Sequence, residues 1–430
     1  MPAGDPGDPI AALLAGTYAD PETGAPLAAE SRAIAIADSL DGAELELVAA
    51  LGLGARFALV ADPDTYAALG QRVERALASR FTLQRIVLER APHADAVTLA
   101  RLTAAIDPAN DAVIAVGSGT INDLCKLAAL AHHRPQLVFA TAPSMNGYTS
   151  LSASLTEGGV KRSLRAATPV AAFFDLGVLA AAPIRLIRAG LGDSICRPTA
   201  QADWRLAHLL LDQPYRAAPF ALLAGDEAAL LARADALITG ELSAMRHLAR
   251  TLVLSGFGMT LCGGSYPASQ GEHLLSHYVD MMRPPEVPEA LHGEQIGVCA
   301  LAMARLQDTV LAHAAPRVEP SRVARADVLR HFGPERGESC WLELAPKLLD
   351  APRADALNAR LSARWPAIRA ELTAITVGAA RMSAVLAAAG APLTPADLAW
   401  PAPLFADALG HARMIRNRYT FLDLAAELVA

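Results

Sequence analysis

Three separated segments carry side chains that could hold a metal ion. Ala189-Gly-Leu-Gly-Asp193 sets a carboxylate after a glycine turn, Gln270-Gly-Glu-His273 and His277 put two imidazoles four residues apart, and Ala290-Leu-His292 supplies a third. Spacing of i, i+4 brings His273 and His277 to one face of a helix. One carboxylate and two imidazoles with a vacant position are what a catalytic divalent metal needs, because the vacancy admits substrate. There is neither an HExxH pattern nor a paired-cysteine motif. The same residues therefore also suit hydrogen-bonded structural histidines, and His277 reads equally as a fourth ligand.

A second set of residues suits an anionic cofactor. Val116-Gly117-Ser118-Gly119-Thr120-Ile121-Asn122-Asp123 follows an apolar run and opens an amphipathic one. Glycines there let the backbone approach a phosphate, and the free N–H groups of a helix start attract an anion. The pattern is neither GxGxxG nor a Walker loop, so an ordinary glycine turn reads as well. Asp62 follows an earlier apolar run, where it could accept from ribose hydroxyls or cap a helix. Ala140-Thr-Ala-Pro-Ser-Met-Asn-Gly-Tyr-Thr-Ser150 is rich in small hydroxyls that could bond a cofactor or simply form turns. Lys161, Arg162 and Arg165 cluster, and Arg185 and Arg188 lie one helical turn apart; each group is a phosphate clamp or solvated charge.

The elements that must position these residues follow a rhythm. Apolar runs at 56–61, 85–88, 112–116 and 137–140 alternate with helical patterns at 66–78, 91–106 and 122–132. Strand and helix in alternation predict a parallel, doubly wound sheet whose strands are continuously apolar because both faces are covered. After about Pro183 the pattern turns to long alanine- and leucine-rich helices. The reading is an α/β Rossmann-like domain over residues 1–180 and an all-α domain over 181–430.

Composition narrows the function classes. Of 430 residues, 53% are hydrophobic and 19% charged, which predicts large cores rather than disorder. A formal charge of −7 gives no general attraction for nucleic acid or anionic lipid, so any phosphate must be captured locally. The longest uncharged stretch, Thr251 to Gly271, is broken by glycines and Pro267 and reads as a helix end entering a loop, not a membrane span. The first residues lack a basic flank and apolar run. Five cysteines without a CxxC pair fit a reducing compartment, so a cytoplasmic location is expected.

Together the segments resemble the sn-glycerol-1-phosphate dehydrogenases, a branch of the dehydroquinate synthase, glycerol dehydrogenase and metal-dependent alcohol dehydrogenase superfamily. The resemblance runs from Leu14-Ala-Gly-Thr-Tyr through Gly117-Ser-Gly-Thr-Ile-Asn-Asp123, Thr141-Ala-Pro-Ser-Met-Asn-Gly-Tyr148, Gly190-Leu-Gly-Asp193 and Ala202-Asp-Trp204. It continues through Gly271-Glu-His273, Leu291-His-Gly293 and Arg418-Tyr-Thr-Phe-Leu-Asp-Leu424. It implies a dehydroquinate synthase-like fold and interconversion of dihydroxyacetone phosphate and sn-glycerol 1-phosphate with NAD or NADP. Gly117, Ser118, Gly119, Thr120 and Ile121, with Asp123 in the same motif, would serve the cofactor pyrophosphate. Thr141, Ser144 and Ser150 would add contacts, and Asp62 would sit near the ribose. Asp193, His273 and His292 would hold one divalent metal, zinc first with nickel or iron as alternatives. His277 and Asp193 would act in catalysis. Because the chain is negative overall, capture of the substrate phosphate falls to local donors, and Lys161 with Arg162 are the candidates. A homo-oligomer is implied, and no nucleic-acid partner. One departure is Asn146, where the family usually has an aspartate at a position tied to substrate and catalysis; an amide cannot act as a base. A related polyol dehydrogenase, a dehydroquinate-synthase-like lyase and a non-catalytic NAD-binding protein are the alternatives.

Overall fold

The computed structural model describes residues 7–157 and 160–429, without the side chains of 160–162. Two compact units are formed. Of the described residues, the first comprises those up to 194 and 217–265, the second 195–216 and those from 266 onward.

The first unit is built on a six-stranded sheet of β1 (Ala33–Ala37), β2 (Arg56–Ala61), β3 (Thr82–Val87), β4 (Ala112–Gly117), β5 (Gln136–Ala140) and β8 (Ala171–Asp175). An antiparallel hairpin, β6 (Ser152–Glu157) and β7 (Val160–Arg165), lies apart from it. Every pairing in the large sheet is parallel, in the order β1-β8-β5-β4-β2-β3. The central strands β4, β5 and β8 are wholly buried, which explains their unbroken apolar sequence. From β2 the chain steps outward to β3, then returns across β2 to β4 and proceeds the other way. The reversal falls between β2 and β4, and in such sheets ligands bind beyond the carboxyl ends of the strands that flank it.

The doubly wound sheet foreseen from the alternating pattern is present. The strands β1 and β8 were not foreseen: Ala-Ile-Ala-Ile-Ala and Ala-Ala-Phe-Phe-Asp dilute strand-favouring Ile and Phe with alanine, and pairing with neighbours decides them. Helix α1 (Gly119–Ala131) follows β4, and α2 (Ile184–Ile195) and α4 (Leu242–Leu261) complete the part of this unit that bears on the site; α3 (Arg197–Leu211) lies between those two in the chain but in the other unit.

The second unit is helical. Its core gathers Leu206, Leu210, Leu274, Tyr278, Cys299, Met303 and Trp365 from α3, α5 (Gly271–Met282), α6 (His292–Ala312) and α7 (Ala351–Ile375). Residues 351–388 are long and apolar enough to cross a membrane by length and hydropathy alone. They form two helices, however, and α7 turns Leu357, Leu361, Trp365, Ile368 and Leu372 into the core. The five cysteines are free thiols, with Cys125, Cys196, Cys299 and Cys340 buried.

Candidate active site

The turn after β4 is shaped by one close approach. A Cβ on Gly117 would lie 2.5 Å from the Ile121 side chain, so only glycine lets the first turn of α1 fold back on the strand. Ser118 takes the N-cap position with an extended backbone. A cavity of about 710 Å³ opens at the carboxyl ends of β2 and β4, where the strand order reverses. Of the cofactor residues expected from sequence, Asp62, Ser118, Thr120, Ile121 and Thr141 line it, while Gly117, Gly119, Asp123, Ser144 and Ser150 do not. Asp62 is also a helix cap: its Oδ1 accepts from Thr65 N at 2.8 Å and Thr65 Oγ1 accepts from Asp62 N at 3.0 Å. The two readings of Asp62 thus coexist in one residue.

Asp123 and Ser150 belong to a buried network that holds the loop after β5. Asp123 Oδ2 accepts from Ser154 N at 2.9 Å. Lys126, one turn further along α1, is 1% exposed and donates its Nζ to the carbonyls of Gly147, Ser150 and Ser152 at 2.5, 2.7 and 3.1 Å. Burial lowers the Lys126 pKa to about 8 against the opposing pull of Asp123. Sequence reasoning passed over Lys126 because a lone lysine in an alanine-rich helix reads as solvated.

The same loop is gripped from two other sides. A Cβ on Gly190 of α2 would sit 1.6 Å from the Pro143 carbonyl oxygen, and one on Gly256 of α4 would sit 2.1 Å from Thr149 Oγ1. These contacts bring Asn146 to Asp193, whose Oδ2 accepts the Asn146 N–H at 2.8 Å. The Asn146 amide donates to Ser255 Oγ at 3.4 Å. Asp193 is 1% exposed and lies in the last turn of α2, where the helix dipole disfavours a negative charge. A buried carboxylate in that position suits a cation.

In the second unit three imidazoles converge. Ring centroids of His273 and His292 are 5.1 Å apart, those of His273 and His277 5.9 Å, and those of His277 and His292 6.3 Å. Glu272, fully buried, directs the first of them: its Oε1 lies 2.8 Å from His273 Nδ1 and also accepts from Gln270 N at 2.8 Å. A carboxylate only accepts, so Nδ1 carries the hydrogen and Nε2 keeps its lone pair for a metal. Ser276 donates to Gln295 Oε1 at 2.7 Å, and Gln295 Nε2 donates to Asp280 at 3.0 Å, tying α5 to α6 and fixing the spacing of the rings.

Asp203 anchors the start of α5. Its two oxygens accept from Gly271 N and Phe421 N, each at 2.9 Å. Burial, reinforced by the Glu272 carboxylate, pushes the Asp203 pKa well above the usual range despite those two donors. The Ala202-Asp-Trp204 and Arg418-to-Leu424 motifs thus meet at the start of the histidine helix. Neither Asp203 nor Glu272 was singled out from sequence, since a buried acid has no signature there. The Lys161 and Arg162 side chains lie outside the described residues.

These features define a nucleotide-linked dehydrogenase of the metal-dependent alcohol dehydrogenase class. Residues 35–183 match the iron-containing alcohol dehydrogenase family. The fold resembles glycerol dehydrogenase from Schizosaccharomyces pombe (TM-score 0.61, 14% identity, 92% of this chain and 88% of that one). It also resembles sulfoacetaldehyde reductase from Bifidobacterium kashiwanohense in complex with NAD+ (TM-score 0.56, 14% identity, 92% and 96%). Curated relatives are more specific. The chain is 31% identical to glycerol-1-phosphate dehydrogenase [NAD(P)+] of Geobacillus stearothermophilus over 87% of both chains. It is 30% identical to that of Thermococcus kodakarensis over 71% of this chain and 90% of the relative. The match to the enzyme of Halalkalibacterium halodurans, at 33% identity, spans 58% of this chain and 64% of that one. The chain belongs to the glycerol-1-phosphate dehydrogenase family, a family of oxidoreductases, as its motifs implied.

Proposed function

We propose that this chain reduces dihydroxyacetone phosphate to sn-glycerol 1-phosphate with a nicotinamide cofactor and one divalent metal. In function, residues 1–180 are the NAD(P)-binding domain and 181–430 the helical metal- and substrate-binding domain. The observation that carries the reading is the trio His273, His277 and His292, with His273 aimed by Glu272. Asp193, His273 and His292 are the proposed ligands, and one carboxylate with two imidazoles suits zinc first and nickel or iron next. Family membership favours hydride transfer over the lyase and the non-catalytic alternative.

When bound, the metal supplies Lewis-acid polarisation of the substrate oxygen, and the nicotinamide supplies the hydride. The remaining work falls to the chain. His277, partly exposed one turn after His273, holds and passes the hydroxyl proton. Asn146 orients substrate through hydrogen bonds and stays out of proton transfer. The N–H groups after Gly117, with Ser118, Gly119, Thr120 and Ile121, take the pyrophosphate; Thr141, Ser144 and Ser150 steady the nicotinamide side, with Asp123 behind them. Asp62 accepts from the ribose. Lys161 with Arg162 is proposed at the substrate phosphate. The enzyme is proposed to work in the cytoplasm as a homo-oligomer of two or more copies.

The cofactor cavity favours NAD. Asp38, Asp62 and Asp64 line it, and its one arginine, Arg72, is held by Glu44 and Asp175, each at 2.6 Å. Among the described lining residues, a 2′-phosphate there meets carboxylates and no uncommitted cation. The test runs the reaction backwards on racemic glycerol phosphate with each oxidised cofactor. NAD should give the higher kcat/KM, and consumption should stop at half, leaving the 3-phosphate enantiomer. Oxidation of both enantiomers, or of neither, contradicts the reading.

A further inference from the structure

A cysteine joins α2 to α3. Cys196 takes the N-cap position of α3, where its carbonyl accepts from Thr199 Oγ1 at 2.6 Å, while the thiol makes no capping bond and lies 4.0 Å from the Ala268 carbonyl oxygen. The Cys196 and Glu272 side chains are wholly buried, and both residues belong to the helical unit, as does His273. One donor atom from each of Cys196, Glu272 and His273 lies within 4.8 Å of the other two. Tetrahedral metal bonds of ordinary length hold such donors roughly 3.3–3.6 Å apart, so about an ångström of side-chain movement closes them on an ion.

Glu272 gives an independent sign of what belongs among them. Its Oε1 is committed to Gln270 N and His273 Nδ1, each at 2.8 Å, whereas Oε2, also buried, has no hydrogen-bond partner among the described residues. An orphaned oxygen on a buried carboxylate is unfavourable, and buried charges are commonly paired or bound to metal. A thiolate, an imidazole and a carboxylate together suit borderline and soft divalent ions such as zinc, cobalt and cadmium, while magnesium and calcium prefer oxygen donors. Of the three side chains only His273 keeps any exposure, with 7% for the residue, so an ion arrives along the imidazole.

We infer that Cys196, Glu272 and His273 form a second cation position, for a thiophilic divalent ion, whose filling takes His273 away from the catalytic metal. His273 now gives its Nδ1 hydrogen to Glu272. An ion on the Glu272 side claims the Nδ1 lone pair, so a neutral ring must carry its hydrogen on Nε2, the nitrogen proposed for the catalytic metal. One imidazole therefore serves one position or the other. A dication between the Cys196 thiolate and the Glu272 carboxylate is neutralised in place, which suits burial. The blocking effect rests on the proposed ligand role of His273, whereas the position itself rests on the three buried donors.

Cobalt is titrated, without added thiol, into the chelator-stripped full chain as wild type, Cys196→Ser, Cys196→Ala and Cys262→Ser, and the thiolate-to-cobalt charge-transfer absorption is followed. The band should appear in wild type and Cys262→Ser and be lost in both Cys196 variants. Its absence from wild type, its survival in either Cys196 variant, or its loss in Cys262→Ser overturns the position. X-ray absorption of wild type loaded with two equivalents of zinc needs no substitution and should show a sulfur neighbour; nitrogen and oxygen neighbours alone overturn the position. In turnover of dihydroxyacetone phosphate with NADH, zinc beyond one equivalent should inhibit wild type, and Cys196→Ser should need at least tenfold more zinc for the same loss. Equal sensitivity of the two overturns the blocking of His273. If wild type turns over no substrate with any metal, the proposed function fails, and the cobalt band still decides the position.

Discussion

His273 owes its chemistry to Glu272. The carboxylate fixes which ring nitrogen carries hydrogen, and it is in turn held by the Gln270 N–H, so the imidazole is aimed before any metal arrives. Removing such a partner typically weakens metal binding ten- to a hundredfold. Glu272→Gln should therefore lower metal affinity by roughly that factor with the helix intact, and His273→Ala should abolish stoichiometric metal. Elemental analysis of the purified variants checks both, and full metal content in His273→Ala refutes the ligand assignment. The histidines were legible in the sequence because imidazoles four apart in a helical pattern are conspicuous. Glu272 and Asp203 were not, because what distinguishes them is burial and backbone donors supplied by distant segments.

Lys126 and Gly190 act on an element, the loop from Thr141 to Ser152 that carries Asn146. A methyl on Gly190 would strike the Pro143 carbonyl, and backbone cannot yield as a side chain can. Gly190→Ala should cost about 2 kcal/mol or more by denaturant titration, given the usual penalty for overpacking, and should raise KM for NADH through Thr141. Lys126→Met strands three buried carbonyls and should cost about 2–4 kcal/mol. The Lys126 pKa is depressed to about 8 in the fold. Between pH 8 and its unfolded value near 10.5 the unfolded chain therefore holds the extra proton, and wild-type stability rises with pH. Lys126→Met lacks that titration, so the stability gap should widen across this window; a constant gap contradicts the buried-ammonium reading. The glycine-rich turn after β4 was readable from its letters. The grip of α2 and α4 on this loop was not, because a glycine's neighbour is known only once the chain is folded.

At the scale of the whole chain, the change from strand to helix near residue 180 marks where sheet building stops. Compactness is organised differently, since residues 217–265 pack in the sheet-bearing unit and residues 195–216 in the helical one. Local pattern reports periodicity, and α4 looks like any other apolar helix until its glycines meet the Asn146 loop. The negative overall charge means that any phosphate must be captured locally. The account stands on one reaction. Protein reconstituted with zinc, nickel, iron or manganese in turn is mixed with dihydroxyacetone phosphate and NADH, and absorbance at the nicotinamide band is followed. Oxidation of NADH that requires the metal and disappears in His273→Ala is the predicted result. No oxidation with any of the four metals contradicts it.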